Sequence, residues 1–185
     1  MNPKQTTYSF CLSQILPLPL FSGLLLSLSF ALAQVTQALP TDKDQNIQIS
    51  SISASIDSKL GVTVLNGPVK LTQGTLEIAA DKVTLRYDKN QKLESLVAEG
   101  SPARYQQQPA LDKAIIHAEA NNITYAVSKD HLTLDKNAFV EQNGATTRGG
   151  KIDYDITSGT VKALGAGSES GVVIFVIPPQ TDKKE

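Results

Sequence analysis

From Ile47 onward, apolar and polar residues alternate in short runs. Ile47-Gln48-Ile49 opens the series, followed by Gly61-Val62-Thr63-Val64, Val69-Lys70-Leu71-Thr72, Leu76-Glu77-Ile78 and Val83-Thr84-Leu85-Arg86-Tyr87. Ile123-Thr124-Tyr125-Ala126-Val127, Leu132-Thr133-Leu134, Ile152-Asp153-Tyr154 and Val161-Lys162-Ala163 continue it. Period-two runs rich in Val, Ile, Thr and Tyr predict strands. Turn signals punctuate them: Asn66-Gly67-Pro68, Gln73-Gly74, Asp88-Lys89-Asn90, Gly100-Ser101-Pro102, Asn143-Gly144 and Thr157-Ser158-Gly159. Arg148-Gly149-Gly150-Lys151 reads as one more tight turn. Many short strands at even spacing predict an all-β fold. In residues 110–121, Leu111, Ala114, Ile115 and Ala118 fall at helical spacing. A strand is nevertheless expected for the second half of that segment, because the chain repeats itself there.

Shifted by 69 positions, the chain meets itself without a gap: Leu65 falls on Leu134, Val69 on Ala138, Leu71 on Val140, Gln73 on Gln142 and Val83 on Ile152. A shift of 40 brings Ala80, Asp81, Val83, Thr84 and Leu85 onto Ala120, Asn121, Ile123, Thr124 and Tyr125. Alternation then places Val83, Leu85 and Tyr87 on one face, as it does Ile123, Tyr125 and Val127, and Ile152, Tyr154 and Ile156. Thr84, Arg86, Thr124, Asp153 and Asp155 take the other face. Stacked copies make a sheet with one apolar and one polar side. Two such apolar faces in opposition predict a sandwich or jelly roll, or, if they splay, an apolar groove.

The first 33 residues have a different character. Residues 15–33 carry no charge, only Lys4 and the α-amino group precede them, and the run ends in Ala31-Leu32-Ala33, the small-x-small pattern of a cleaved secretory signal. A second cut is available after Ala38. Pro17, Pro19 and Gly23 speak against a membrane span. Removing 33 residues leaves 152, enough for one domain with a core. The expected organisation is a cleaved signal at 1–33, a flexible leader at 34–46, a β domain at 47–177 and a disordered tail at 178–185.

Composition narrows the chemistry. The single cysteine, Cys11, lies in the signal, so the exported chain has no disulfide, no catalytic thiol and no cysteine metal site. A net charge of −1 argues against broad capture of nucleic acid. No tryptophan and few Phe and Tyr make the core aliphatic. His117 and His131 are the only histidines and share no metal-binding spacing. Both read as structural, His131 in a solvated turn. The acidic residues are scattered, no G-x-S-x-G is present, and Gly165-Ala166-Gly167 lacks the Lys-Ser/Thr of a phosphate loop. The chain is therefore expected not to be an enzyme and to use neither metal nor cofactor. The run Val172-Val173-Ile174-Phe175-Val176-Ile177, stopped by Pro178-Pro179, predicts a strong terminal strand, and a bare sheet edge recruits partner strands.

Three stretches carry a family resemblance. They are residues 44–50 (Asp-Gln-Asn-Ile-Gln-Ile-Ser), residues 66–83 with the pattern V-x-x-x-Q-G-x-x-x-x-x-A-D-K-V, and residues 136–142 (Lys-Asn-Ala-Phe-Val-Glu-Gln). With the signal and the chain length, they resemble the OstA-like family over about Ile47 to Ile177, least clearly between Pro102 and Ile116. The resemblance implies a twisted, slightly open antiparallel β-jelly roll of two opposed sheets. It implies a periplasmic carrier of lipopolysaccharide, with the lipid A acyl chains held inside, bridging the inner and outer membranes. It implies partners in the inner- and outer-membrane transport machinery, an upstream ATP-driven extractor that supplies direction, and copies of itself joined head to tail. Carried over by parity, the groove residues are Ile47, Ile49, Val69, Leu71, Ile78, Val83, Leu85, Tyr105, Ile123, Tyr125, Val127, Ala138, Val140 and Tyr154. The joining edges are Ile47 and Ile49 at one end and Val172, Val173, Ile174, Phe175, Val176 and Ile177 at the other. The alternatives are a membrane-anchored member of the same pathway and an exported β-sandwich or adhesin module with no lipid ligand.

Overall fold

The computed structural model describes residues 42–166 and 171–179. The expected signal, the expected leader up to residue 41, residues 167–170 and the expected tail from residue 180 lie outside the described residues. A short 3-10 turn at Asp42–Asp44 precedes β1 (Gln48–Ser50) and β2 (Ser53–Asp57). The long strands follow: β3 (Val62–Gln73), β4 (Leu76–Tyr87), β5 (Leu93–Gln107), β6 (Ile116–Ala126), β7 (His131–Gln142) and β8 (Ala145–Asp155). β9 (Thr160–Leu164) and β10 (Ile174–Val176) end the domain. Among the described residues these strands form one antiparallel sheet in the order β1-β3-β4-β5-β6-β7-β8-β10, with β2 also on β3 and β9 also on β8.

The two opposed layers expected from the pattern are halves of this one sheet, creased across its middle. Register shifts fall between Asn66 and Val69 in β3, Ala79 and Lys82 in β4, Glu99 and Ala103 in β5, Glu119 and Asn122 in β6, and Asp135 and Ala138 in β7. A bulge bends its strand, and a row of bulges in register bends the sheet. This corrects three turn assignments. Asn66-Gly67-Pro68 and Gly100-Ser101-Pro102 lie inside β3 and β5 at the crease, and Arg148–Lys151 lies inside β8. Gly and Pro at these points mark bends within strands rather than chain reversals. Gly67 has φ +94°, and a Cβ there would come within 2.6 Å of the Ile52 side chain, so the connection between β1 and β2 seats directly on the bend. Small residues line the inner side of the crease: Ala80, Ala103, Ala120, Ala138 and Gly149. They let the two halves approach where the angle is tightest.

The internal repeat is a bent hairpin. In the β3–β4 pair, Leu65 faces Val83, Val69 faces Ala80, Leu71 faces Ile78 and Gln73 faces Leu76. Sixty-nine residues on, in the β7–β8 pair, Leu134 faces Ile152, Ala138 faces Gly149, Val140 faces Thr147 and Gln142 faces Ala145. The bulges repeat with the side chains, and the shift of 40 superposes the β4 crease on that of β6. The second half of the ambiguous segment is strand β6, as the repeat requires. The strand expected to run to Val127 ends at Ala126, where Val127–Lys129 form a 3-10 turn leading to Asp130 in the left-handed region. The terminal strand is shorter than its apolar run, because β8 divides its free edge between two neighbours: residues 151–155 pair with β9 and residues 146–148 with β10. β3 divides its other edge likewise between β2 and β1.

Candidate functional site

Residues directly opposite on neighbouring strands point to the same face. Following the registers therefore traces apolar rows across the whole sheet. In one layer, Ile56, Thr63, Leu85, Leu96, Tyr125, Leu132, Tyr154 and Val161 form a row, and Ala54, Leu65, Val83, Ala98, Ile123, Leu134, Ile152 and Ala163 form the next. In the other layer the row is Ile49, Leu71, Ile78, Tyr105, Ala118, Val140, Thr147 and Phe175. These rows meet across the interior. Tyr105 of one layer and Tyr125 of the other are in edge-to-face ring contact with centroids 5.7 Å apart. Val83, Ile78, Leu96, Ile123, Leu134 and Ile152 are all 0% exposed, so the faces are closed on each other as a packed core.

The sequence-derived groove set falls almost entirely inside this interior. Val69, Leu71, Ile78, Val83, Leu85, Tyr105, Ile123, Tyr125, Ala138, Val140 and Tyr154 are buried. Val127 is partly buried against the same cluster. Ile47 and Ile49 are exposed at the end of the sheet. Period-two reading also missed interior residues. Leu96, Ala98, Ala103, Ile116, Ala118 and Ala120 are buried on β5 and β6, where the bulges break the alternation that parity reading depends on.

The rows do not end inside the molecule. At one end Ile49 is 41% and Ile56 71% exposed, and at the other Phe175 is 58% exposed, although each shares a face with buried neighbours. They are exposed because the sheet stops, not because they point outward.

Opposite the crease the two layers end in turns, and this mouth is polar. The Tyr105 hydroxyl donates to Gln107 Oε1, and Gln107 Nε2 donates to Asp42 at 2.8 Å. The Tyr125 hydroxyl donates to Asp130 Oδ1 at 3.0 Å, and the Tyr154 hydroxyl to Gln142 Oε1 at 2.8 Å. Burial pushes the Tyr105 phenol far above the ordinary tyrosine range, with Tyr125 and Asp130 adding to it. Burial likewise raises Tyr125, reinforced by Asp130. Both hydroxyls therefore stay protonated donors. The site offers apolar surface with a polar rim and brings no nucleophile and base together. Among the described residues, no group of His, Asp and Glu has the arrangement of a metal site, and no helix is long and apolar enough to cross a membrane.

Residues 48–160 match the family model described as LptA/(LptD N-terminal domain) LPS transport protein. The chain belongs to this family. Within the LptA-type family it is similar to the lipopolysaccharide export system protein LptH of Pseudomonas aeruginosa, at 40% identity over 165 residues, covering 89% of this chain and 91% of that protein. It is also similar to the lipopolysaccharide export system protein LptA of Haemophilus influenzae (34% identity, 77% of this chain and 83% of that protein) and of Escherichia coli K12 (32%, 80% and 79%). The crystal structure of LptH, described as the LptA homologous periplasmic component of the conserved lipopolysaccharide transport device from P. aeruginosa, superposes with a TM-score of 0.69 at 37% identity. That match covers 76% of this chain and all of the LptH chain. The family is one of transport proteins; the all-β class expected from the strand pattern, which the family resemblance narrowed to an antiparallel jelly roll, is the fold it shares with that structure.

Proposed function

We propose that this chain is a periplasmic carrier that takes lipid A acyl chains of lipopolysaccharide between the two halves of its creased sheet. The observation that carries the reading is the set of apolar rows, continuous from edge to edge and left uncovered at both ends. A ligand chain lying along them meets apolar surface over the full length of the domain, while its sugars leave through the polar mouth. Each buried methylene contributes about 0.8 kcal/mol. A lipid has the same burial in a membrane, so a protein interior that matches it makes transfer nearly neutral and removes the cost of crossing water. Because the halves are closed on each other, acyl chains replace layer-to-layer contacts as the halves part.

The same reading has copies joining head to tail, β1 and β2 of one against β9 and β10 of the next. That joint continues both layers at once and places Ile49 and Ile56 against the Phe175 end. It also names the inner- and outer-membrane components of the lipopolysaccharide transport machinery as partners at the two ends of such a bridge.

The interior is tested by parity. A photo-crosslinking residue at Tyr125, which points inward, is expected to capture lipopolysaccharide. One at Thr124, its outward neighbour, is not. Equal capture from both positions removes the interior as the lipid path. Export is tested separately. Mass spectrometry of the periplasmic protein is expected to find Gln34 at the N-terminus, or Leu39 if the second cut is used, and a membrane-held chain beginning at Met1 sinks the cleaved-signal reading.

A further inference from the structure

The segment ahead of β1 crosses the mouth. The Asp42 carboxylate accepts hydrogen bonds from the Thr75 backbone N–H and hydroxyl, both at 2.7 Å, and from Gln107 Nε2 at 2.8 Å. Thr75 and Gln107 belong to the turn ends of one layer. The adjacent Lys43 reaches the other way, its Nζ 2.8 Å from Asp130 Oδ2 in the turn between β6 and β7 of the opposite layer. Asp130 is the residue that also holds the Tyr125 hydroxyl. Two consecutive side chains thus tie the rims of the two layers together. The seat is shaped for this: Gly74 has φ +60°, and a Cβ there would fall 2.2 Å from Asp42 Oδ1. A leader expected to be flexible is, at Asp42–Asp44, a 3-10 turn held by hydrogen bonds.

We propose that Asp42 and Lys43 form a strap that holds the mouth of the creased sheet shut and must release before an acyl chain can enter or slide past. The inference rests on the carrier reading for its cargo, but the strap itself rests on the contacts. A headgroup that projects from the mouth while its acyl chains move along the rows has to pass the point where the strap crosses. Both links are polar and lie at the rim, where water can replace them, whereas the crease is packed with apolar side chains. The mouth is therefore the side that opens. Once Asp42 lets go of Thr75 and Gln107, the Tyr105 phenol loses the relay that tied it through Gln107 to the strap. The interior is then exposed beside the two tyrosine rings.

The test measures entry of an uncharged apolar dye, Nile red, into the full exported chain by stopped-flow fluorescence. Asp42→Ala combined with Lys43→Ala is expected to speed dye capture about tenfold, the change that ~1.4 kcal/mol of lost closure produces. Asp130→Asn, which keeps the left-handed turn and an acceptor for Tyr125 but removes the charge facing Lys43, is expected to give a smaller increase. High salt should speed capture by the wild type and leave the double variant unchanged, since the ion pair is half exposed and screened. Lys70→Ala, which breaks the exposed Lys70–Glu77 pair on the outer face, serves as the control with no change. Capture by the double variant within twofold of the wild type, with sheet content intact by circular dichroism, overturns the strap. Lipopolysaccharide uptake from micelles is read in parallel. Faster dye entry in a protein that never takes up lipopolysaccharide leaves the strap standing and removes the carrier reading. Unchanged dye entry with normal uptake removes the strap alone.

Discussion

Ile123→Asp is expected to leave the domain unfolded at 25 °C, and Ile123→Ala to lower its unfolding free energy by about 3 kcal/mol. Ile123 is 0% exposed and sits mid-row, between Ala98 and Leu134 on its own layer. Truncation to alanine removes its contacts and leaves a hole that rigid strands cannot fill. A carboxylate there has no partner on its row, where it is flanked by Ala98 and Leu134, and an unpaired buried charge costs several kcal/mol. A domain of this size has only about 5–15 kcal/mol to lose. Urea denaturation followed by circular dichroism measures both variants. An Ile123→Asp protein that unfolds at the wild-type midpoint would show that the two halves are not closed on each other.

The second large effect is on assembly rather than folding. Phe175→Asp, and separately Ile56→Asp, is expected to abolish concentration-dependent oligomers while shifting unfolding free energy by less than about 0.5–1 kcal/mol. Both side chains are more than half exposed at opposite ends of the sheet, yet each continues an inward row. In a lone protomer a charge at either place stays in water. In a head-to-tail joint it is carried into the apolar interior of the next copy. Because the joint is heterologous, either end alone suffices to block it, and mixing the two variants is expected to give dimers and nothing longer, since each supplies one intact end. Sedimentation velocity across a concentration series reads this directly. Undiminished oligomers in both variants place the joint on another surface.

Much of this was legible in the sequence for one physical reason: a half-buried strand writes its orientation into every second residue. Val83 and Leu85, Ile123 and Tyr125, and Ile152 and Tyr154 were placed on the inner face by parity and lie there. The ungapped repeat located the strands, because a bulge inserts the same count in each copy and leaves the spacing between copies unbroken. Legibility failed where the bulges themselves sit. Asn66-Gly67-Pro68 and Gly100-Ser101-Pro102 look like reversals, and only the pairing partners on either side reveal that the strand goes on. The register between the halves was also out of reach. Nothing local in the chain says that Tyr105 meets Tyr125, or that Asp42 finds Thr75 and Gln107, since these contacts depend on the angle of the crease. Asp42-Lys43-Asp44 puts charge of both signs just ahead of the first strand, and in the sequence that pattern fits the flexible leader expected at 34–46.

The division of β8 between β9 and β10, and of β3 between β1 and β2, has a consequence for fidelity. Each end of the domain presents two short strand edges of three and five residues, set in different layers at a fixed angle. A stray extended segment from another protein can occupy one of them and gains only a few backbone hydrogen bonds. In the proposed head-to-tail joint a true copy would engage both together, its second contact forming at the high effective concentration set by the first. In such a joint the ends would work by valence, each too short to hold a foreign strand and jointly long enough to hold their own kind, so that a sheet could keep its edges open in a crowded compartment without becoming a template for aggregation.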